Sequence, residues 1–207
     1  MTPTPGTDAP LQITAVLFPG FELLDVFGPL EMFGLLGDRA KITMAAVDPA
    51  PVASGAGPQA MPDVVLSEIE TTDILLIPGG PGTRSLVFDQ GFLKVLSRSA
   101  KKATIVASVC TGSALLAKAG LLDGHRATSN KLAYIWATAQ SPKVFWQPQA
   151  RWVVDGNFWT SSGIAAGIDM TLALIANLFD TKTATEIANR AEYFWNQNPD
   201  SDPFALS

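Results

Sequence analysis

The chain has 207 residues, of which 47% are hydrophobic, and it carries a net charge of −5 and a single cysteine. This length fits one large domain with a substantial core, and the acidic balance argues against a nucleic-acid surface, which would need clustered Lys and Arg. One cysteine cannot form an internal disulfide, which fits a reducing compartment such as the cytoplasm, and the longest apolar stretch, residues 164–179, is too short to span a membrane.

Strands and helices are predicted to alternate along the chain, after a Pro/Thr-rich segment, residues 1–10, that we expect to be disordered. The first half predicts, in order, a strand at 11–18, a helix at 25–36 broken near its start by Gly28-Pro29, a strand at 41–47, a hairpin excursion at 51–65, a strand at 73–77, a helix at 90–101, a strand at 104–109 and a helix at 111–119. The second half predicts a short strand at 126–129, a helix at 132–139, strands at 151–154 and 158–160 around the turn signal Asp155-Gly156-Asn157, and helices at 168–179 and 181–195.

Continuous apolar strands that alternate with helices indicate a mostly parallel sheet covered on both faces. We therefore predict one α/β domain over residues 11–195, followed by an extended tail, residues 196–207. In such sheets, ligands bind at the carboxyl ends of the strands. The residues that follow the strands are accordingly the candidates for function.

Cys110 lies at the corner between the predicted strand 104–109 and the following helix. Unpaired N–H groups at the start of a helix favour a thiolate, so we expect a reactive thiol with a lowered pKa. The small residues around it, Ser-Val-Cys-Thr-Gly-Ser, would keep the corner open. The alternative is a small buried hydrophobic residue, which is the commonest fate of a free cysteine.

Two other strand ends carry unusual residues. The turn Pro-Gly-Gly-Pro-Gly at 78–82 is either a simple loop or a set of backbone N–H groups that could stabilise an oxyanion. Asp25 lies in an apolar run, where a buried acid needs a partner or a purpose. It could cap the helix, act in catalysis, or do both. Glu22 is expected to face the solvent.

The only histidine, His125, enters the strand at 126–129 from its amino end. That strand direction places it at the edge of the sheet opposite Cys110, so we do not expect a Cys–His pair. One histidine and one cysteine also exclude a conventional zinc site. A carboxylate, that of Asp25, is left as the proton carrier.

Four motifs, in order, resemble those of the ThiJ/PfpI superfamily, and the resemblance runs from Leu11 to Phe194. They are Phe-Pro-Gly-Phe with Leu-Asp-Val-Phe-Gly-Pro at 18–29, Ile-Pro-Gly-Gly-Pro-Gly at 77–82, the run from Ser-Val-Cys-Thr-Gly-Ser at 108–113 to His-Arg-Ala-Thr at 125–128, and Ser-Ser-Gly-Ile-Ala-Ala-Gly-Ile-Asp at 161–169. The resemblance implies a class I glutamine amidotransferase-like, flavodoxin-like sandwich, and a homodimer for which residues 26–36 are the candidate contact. Asp25 and Thr111 are most similar to the isocyanide (isonitrile) hydratase branch, whereas Asn130 stands where that branch usually has a histidine.

The resemblance also implies a cofactor-independent hydratase that acts on a small molecule and forms an N-substituted formamide. Cys110 would attack the isocyanide carbon, giving a thioimidate, while Asp25 serves as acid and base. Thr111 is the third expected catalytic residue, whose hydroxyl would hold the water. Gly79, Gly80 and Asn130 are the expected substrate- or oxyanion-binding residues, and no metal is expected. Two alternatives stay open: a hydratase directed at glyoxal or methylglyoxal, and a non-enzymatic redox or stress sensor that uses Cys110.

Overall fold

The computed structural model describes residues 9–205. The disorder predicted for residues 1–10 therefore falls, apart from its last two residues, outside the described part of the chain. Within that part, no helix is both long and apolar enough to cross a bilayer.

The strands and helices of the described residues follow the predicted alternation. The strands are β1 (Leu11–Val16), β2 (Ala40–Ala46), β3 (Val52–Ala53), β4 (Gln59–Ala60), β5 (Val64–Val65), β6 (Thr72–Ile77), β7 (Ala103–Ser108), β8 (Arg126–Ala127), β9 (Phe145–Trp146), β10 (Trp152–Asp155) and β11 (Phe158–Ser161). The helices are α1 (Leu23–Gly34), α2 (Thr83–Leu86), α3 (Gln90–Ala100), α4 (Gly112–Lys118), α5 (Tyr134–Thr138), α6 (Ala166–Leu178) and α7 (Thr181–Arg190), with 3-10 turns at Gly37–Arg39 and Leu66–Glu68.

The main sheet has seven strands in the order β10-β11-β7-β6-β1-β2-β5. All neighbours are parallel except β10 and β11, which form the predicted hairpin, with Asp155 opposite Phe158. At its centre, Ile13 lies opposite Ile74, which in turn lies opposite Ile105, and all three are buried. The predicted excursion at 51–65 splits into a β3–β4 hairpin and β5, which joins the edge of the main sheet.

Helices cover the sheet on both faces. The connection from β1 to β2 runs toward one edge of the sheet, and the connection from β6 to β7 runs toward the other. Because such crossovers are right-handed, α1 and α3 lie on opposite faces. Helix α1 packs on α6, which packs on α7, whereas α3 packs on α2 and α4. The predicted α/β sandwich is confirmed, and the change of direction between β1 and β6 creates a crevice of the kind that binds ligands.

The predicted break in the first helix is wrong. Helix α1 is continuous and contains Pro29. The close approach of α1 to α6 requires glycine at position 28, because a methyl group there would lie 2.9 Å from Cγ1 of Ile168. The Gly-Pro pair therefore marks the close contact between α1 and α6 and does not mark a helix end.

The last helix is shorter than the predicted 181–195. It ends at Arg190, and Glu192 adopts a positive φ of 50°, which turns the chain back toward α6. There the Tyr193 hydroxyl donates to Oδ1 of Asp169 at 3.1 Å, and the Trp195 indole N–H donates to the carbonyl of Asp169 at 3.1 Å. Residues 196–205 contain no helix or strand. They are held in part by Asp202, whose carboxylate lies 3.6 Å from Nη1 of the buried Arg151.

Candidate active site

Three chain segments converge at the carboxyl ends of the neighbouring strands β1, β6 and β7. Asp25 comes from the first turn of α1, the glycine turn follows β6, and Cys110 follows β7. The N–H of Gly79 donates to Oδ2 of Asp25 at 2.8 Å, and the N–H of Gly80 donates to Oγ1 of Thr111 at 3.1 Å. The structure thus brings together the acid, the glycine turn and the thiol-bearing corner that the sequence placed at separate strand ends.

The backbone of Cys110 is strained. Its φ of 58° lies in the left-handed region, which a residue with a side chain adopts only when the surroundings impose it. Its N–H donates to the carbonyl of Ser162 at 3.1 Å, and its own carbonyl accepts from the hydroxyl groups of Ser129 at 3.0 Å and Ser113 at 3.2 Å. Three partners from three segments therefore hold the corner, which aims the thiol in a fixed direction.

The thiol of Cys110 is buried, with 6% of the residue exposed. Nδ2 of Asn130 donates to its sulfur at 3.2 Å, and the backbone N–H groups of Thr111 and Ile164 also lower its pKa. Burial and the neighbouring Asp25 outweigh these donors and raise the pKa of Cys110 to about 12. The predicted lowering of the thiol pKa is therefore wrong. Removal of water destabilises the thiolate by more than the helix start and the hydrogen-bond donors stabilise it.

Asp25 is completely buried and faces the thiol, not its own helix. The residue at the cap of α1 is Glu22, so the interpretation of Asp25 as a helix cap is wrong. Burial raises the pKa of Asp25 to about 7; the Gly79 N–H lowers it, Glu22 raises it and the Cys110 thiol lowers it. Oδ1 of Asp25 has no hydrogen-bond partner among the described residues. A carboxyl group that titrates near neutrality beside a protonated thiol is suited to move a proton in either direction.

Gly79 and Gly80 act on the site through their backbone. A methyl group at Gly79 would lie 2.5 Å from the nitrogen of Thr111 and 2.9 Å from Oδ2 of Asp25, so only glycine fits. The carbonyl of Gly79 accepts the N–H of Glu22 at 2.9 Å, and Glu22 is half-buried, whereas we expected it to face the solvent. The N–H groups of both glycines already have acceptors, so this turn orients Asp25 and the Thr111 hydroxyl.

Asn130 reaches the sulfur in a defined orientation. Its Oδ1 accepts the N–H of Ala133 at 2.9 Å, which leaves Nδ2 to face Sγ of Cys110. Gly163 leaves room for it, since a methyl group there would collide with Nδ2 of Asn130. Asn130 was expected near the substrate, and the structure places it directly against the nucleophile.

His125 lies at the opposite end of the sheet, as predicted. Its ring packs 4.8 Å from that of Phe158, and its Nδ1 lies 3.6 Å from Oδ2 of Asp155. Asp155 and Phe158 flank the β10–β11 turn, so His125 lies near the start of β11. Strand β7 runs parallel to β11, and Cys110 follows the end of β7, which is the other edge of the sheet. Across residues 9–205, no group of three or more His, Cys, Asp and Glu side chains is arranged to hold a metal ion.

Two parts of the site were not predicted. The N–H of Ile164 supports the thiolate, and Ile164 itself has a positive φ of 36°. Arg84 lies near enough to Cys110 for the two charges to interact, and its guanidinium carbon lies 3.5 Å from the centroid of the Trp136 ring. The sequence signal for Arg84 was its place two residues after the glycine turn; nothing local marked Ile164.

Comparison with known proteins gives consistent matches. Residues 12–177 match the DJ-1/PfpI family. The isonitrile hydratase of Pseudomonas putida is 36% identical over 95% of this chain and 86% of its own length. A ThiJ/PfpI family protein from Pseudomonas syringae superposes with a TM-score of 0.78 at 32% identity, over 98% of this chain and 84% of that one. The HTH-type transcriptional regulator CdhR of Pseudomonas aeruginosa is 27% identical over 84% of this chain and 53% of its own length.

Proposed function

Because the chain belongs to the DJ-1/PfpI family, we propose that its Cys110–Asp25 site hydrates an isocyanide to an N-substituted formamide. The observation that carries the proposal is a completely buried carboxyl group with a pKa of about 7 beside the thiol. The similarity to the isonitrile hydratase of Pseudomonas putida supports it. The substrate is a small molecule, and we propose no cofactor.

In the first step, the thiol adds to the terminal carbon of the isocyanide. The carboxylate of Asp25 accepts the thiol proton and delivers it to that carbon while the sulfur–carbon bond forms. The product is a thioimidate, R–N=CH–S–Cys110, and the carboxylate is regenerated. With a thiol pKa of about 12, this proton transfer must accompany the attack, since little thiolate is present beforehand.

In the second step, water adds to the thioimidate carbon. Asp25 takes a proton from the water and passes it to the substrate nitrogen, which gives the adduct R–NH–CH(OH)–S–Cys110. The proton of the new hydroxyl group then moves through Asp25 to the sulfur as the sulfur–carbon bond breaks, and the formamide R–NH–CHO leaves. Every bond change is polar, so the cycle needs no oxidant or reductant.

The donors around the sulfur have a defined part in this scheme. Asn130 Nδ2 and the N–H groups of Thr111 and Ile164 stabilise the sulfur as it gains negative charge in attack and in departure. Gly79 and Gly80 hold Asp25 and the Thr111 hydroxyl in place. We propose that this hydroxyl positions the attacking water.

The alternatives receive less support from the geometry. Among the described residues, no imidazole lies beside the thiol, because His125 is at the other end of the sheet. A redox sensor needs an exposed thiolate, whereas Cys110 is buried and its pKa is raised. The Asp25 carboxyl can also serve a hydration of glyoxal or methylglyoxal, so this substrate class belongs in the same assay.

We also propose a homodimer that forms through α1. Val26, Met32 and Phe33, within the expected contact at residues 26–36, are buried in the chain's own core, so we move the candidate contact to an exposed apolar face at the start of the helix, which extends beyond the expected range. Leu24 and Phe27 on that face are 42% and 41% exposed.

The test is incubation of the reduced protein with aryl and alkyl isocyanides, with formamide followed by mass spectrometry. We expect turnover that Cys110→Ala abolishes. Glyoxal and methylglyoxal, run in parallel, would reveal the other substrate class. No formamide from any isocyanide, with the thiol confirmed as reduced, would reject the proposal.

A further inference from the structure

Arg84 and Trp136 form a stacked pair at the rim of the site. The guanidinium carbon lies 3.5 Å from the centroid of the indole ring. Arg84 follows Thr83, whose hydroxyl lies 3.2 Å from that of Thr111. Trp136 lies on α5, the helix that follows Asn130 and its contact with the thiol. The pair therefore joins the two segments that border Cys110.

The Arg84 side chain has no acidic partner among the described residues. It is exposed, and within residues 9–205 neither an ion pair nor a side-chain hydrogen bond engages its guanidinium. Stacking on an aromatic face fixes the plane of an arginine and leaves its N–H groups free at the edge. Arg151, by contrast, has its charge compensated by Asp169 and Asp202.

The charge of Arg84 acts on the centre of the site. An ionised Cys110 raises the pKa of Arg84, against the lowering that burial causes. A chain with a net charge of −5 thus places, within interaction range of its nucleophile, a cation that has no acidic partner within residues 9–205. A fixed, planar set of donors at that point fits an anion, and a carboxylate matches it with two parallel hydrogen bonds.

We propose that Arg84 binds a carboxylate on the substrate, so that the substrate is an isocyanide with a carboxylate near its reacting carbon. The catalytic part rests on the proposed function, whereas the preference for an anion rests on the site alone. Trp136 is the positioning residue that holds the guanidinium plane.

The decisive probe is a pair of alkylating reagents that differ in one charge. Iodoacetate and iodoacetamide have nearly the same shape, and Cys110 is the only thiol that they can label. In each case a sulfur–carbon bond forms, iodide leaves and the thiol proton is lost. The measured quantity is the ratio of the iodoacetate rate to the iodoacetamide rate, divided by the same ratio for free cysteine.

In the wild type we expect this normalised ratio to exceed 1. In Arg84→Ala and Arg84→Gln it should fall roughly 10-fold, as for the loss of a hydrogen bond to a charged group. Arg84→Lys should fall in between. Arg98→Ala, which removes an exposed arginine of α3, is the matched control and should leave the ratio unchanged. Circular dichroism checks that each variant is folded. An unchanged ratio in both Arg84→Ala and Arg84→Gln, or no reaction of the wild type with iodoacetate, would overturn the proposal.

Turnover separates this inference from the proposed function. Isocyanoacetate and its methyl ester differ in the same single charge, and we expect Arg84→Ala to reduce the ratio of their kcat/KM values roughly 10-fold. If neither isocyanide is hydrated by the wild type, the proposed function fails, while the alkylation ratio still decides the role of Arg84. Hydration of both with a ratio insensitive to Arg84→Ala would overturn the carboxylate assignment alone.

Discussion

Nδ2 of Asn130 lies 3.2 Å from Sγ of Cys110, and its direction is fixed because Oδ1 of the same amide accepts the N–H of Ala133. This contact lowers the pKa of a thiol that burial and Asp25 raise to about 12. Asn130→Asp keeps the shape and the acceptor for Ala133 but replaces the donor with an oxygen. We expect alkylation of Cys110 by iodoacetamide at neutral pH to slow at least roughly 10-fold, the effect of one pKa unit.

The control for this prediction adds the same charge elsewhere. Asn177 is exposed on α6, and Asn177→Asp should alkylate at the wild-type rate. Equal rates for Asn130→Asp and the wild type would mean that the amide does not support the thiolate.

A second prediction concerns the pH dependence of turnover. In the proposed scheme, Asp25 must be ionised to accept the thiol proton, and its pKa is about 7. The value of kcat/KM should therefore rise with pH, reach half its maximum near pH 7 and level off above. Asp25→Asn should lack this pH-dependent rise. Its kcat/KM should be lower by a factor of ~10²–10⁴, which is the usual contribution of a positioned acid–base group. A flat profile between pH 5 and 8 in the wild type would remove Asp25 from this role.

The same carboxyl should make the fold less stable at high pH. The folded pKa of Asp25, about 7, lies above its ordinary value of 3.8, so the folded state holds the proton more tightly than the unfolded state. The free energy of unfolding should thus fall as pH rises from 3.8 to 7 and stay low above. Asp25→Asn removes the cost of a buried charge, and we expect it to stabilise the protein by about 3 kcal/mol more at pH 8 than at pH 5.

Denaturant unfolding at the two pH values measures this difference. Asp38→Asn, at an exposed aspartate of the 3-10 turn after α1, is the matched control and should show no such dependence. If Asp25→Asn destabilises the protein equally at both pH values, then the fold does not raise the pKa of the Asp25 carboxyl.

The convergence of Asp25, the glycine turn and Cys110 was predictable, because parallel strands end at one edge of a sheet and each segment follows a strand. The position of His125 followed from the same strand-direction argument. The direction of the Cys110 pKa shift was not predictable, since it depends on burial by residues distant in the sequence. The hydrogen bond between Asn130 and Cys110 joins residues 20 positions apart, and no local sequence pattern predicts it.

The helix predictions that were wrong have a similar origin. Pro29 locally predicts a break, yet α1 continues through it, with Gly28 packed closely on Ile168 of α6. The apolar spacing after Arg190 looks helical, but the Tyr193 hydroxyl and Trp195 indole bond with Asp169 and pull the chain away. In each case a contact made only in the folded protein overrides the local preference.

Gly79→Ala tests whether the glycine turn positions the acid. The added methyl group would lie 2.5 Å from the nitrogen of Thr111 and 2.9 Å from Oδ2 of Asp25, so the corner or the carboxylate must move. We expect kcat to fall at least ~100-fold, since small displacements of a reacting group have large effects. Gly34→Ala is the control, because its methyl group would have only an ordinary 3.8 Å contact with Ile42. Retention of full activity in Gly79→Ala would show that the turn does not position the acid.

The last prediction concerns the proposed dimer. Leu24 and Phe27 expose an apolar face at the start of α1, and a charge placed there would have to be desolvated in an interface. We expect the wild type to elute as a dimer in size-exclusion chromatography with light scattering, and Phe27→Lys to shift it toward the monomer. Phe145→Lys is the matched control, because Phe145 is 61% exposed on β9, a strand outside the main sheet, and should leave the mass unchanged. A monomeric wild type, or a dimer unaffected by Phe27→Lys, would contradict a contact through this face.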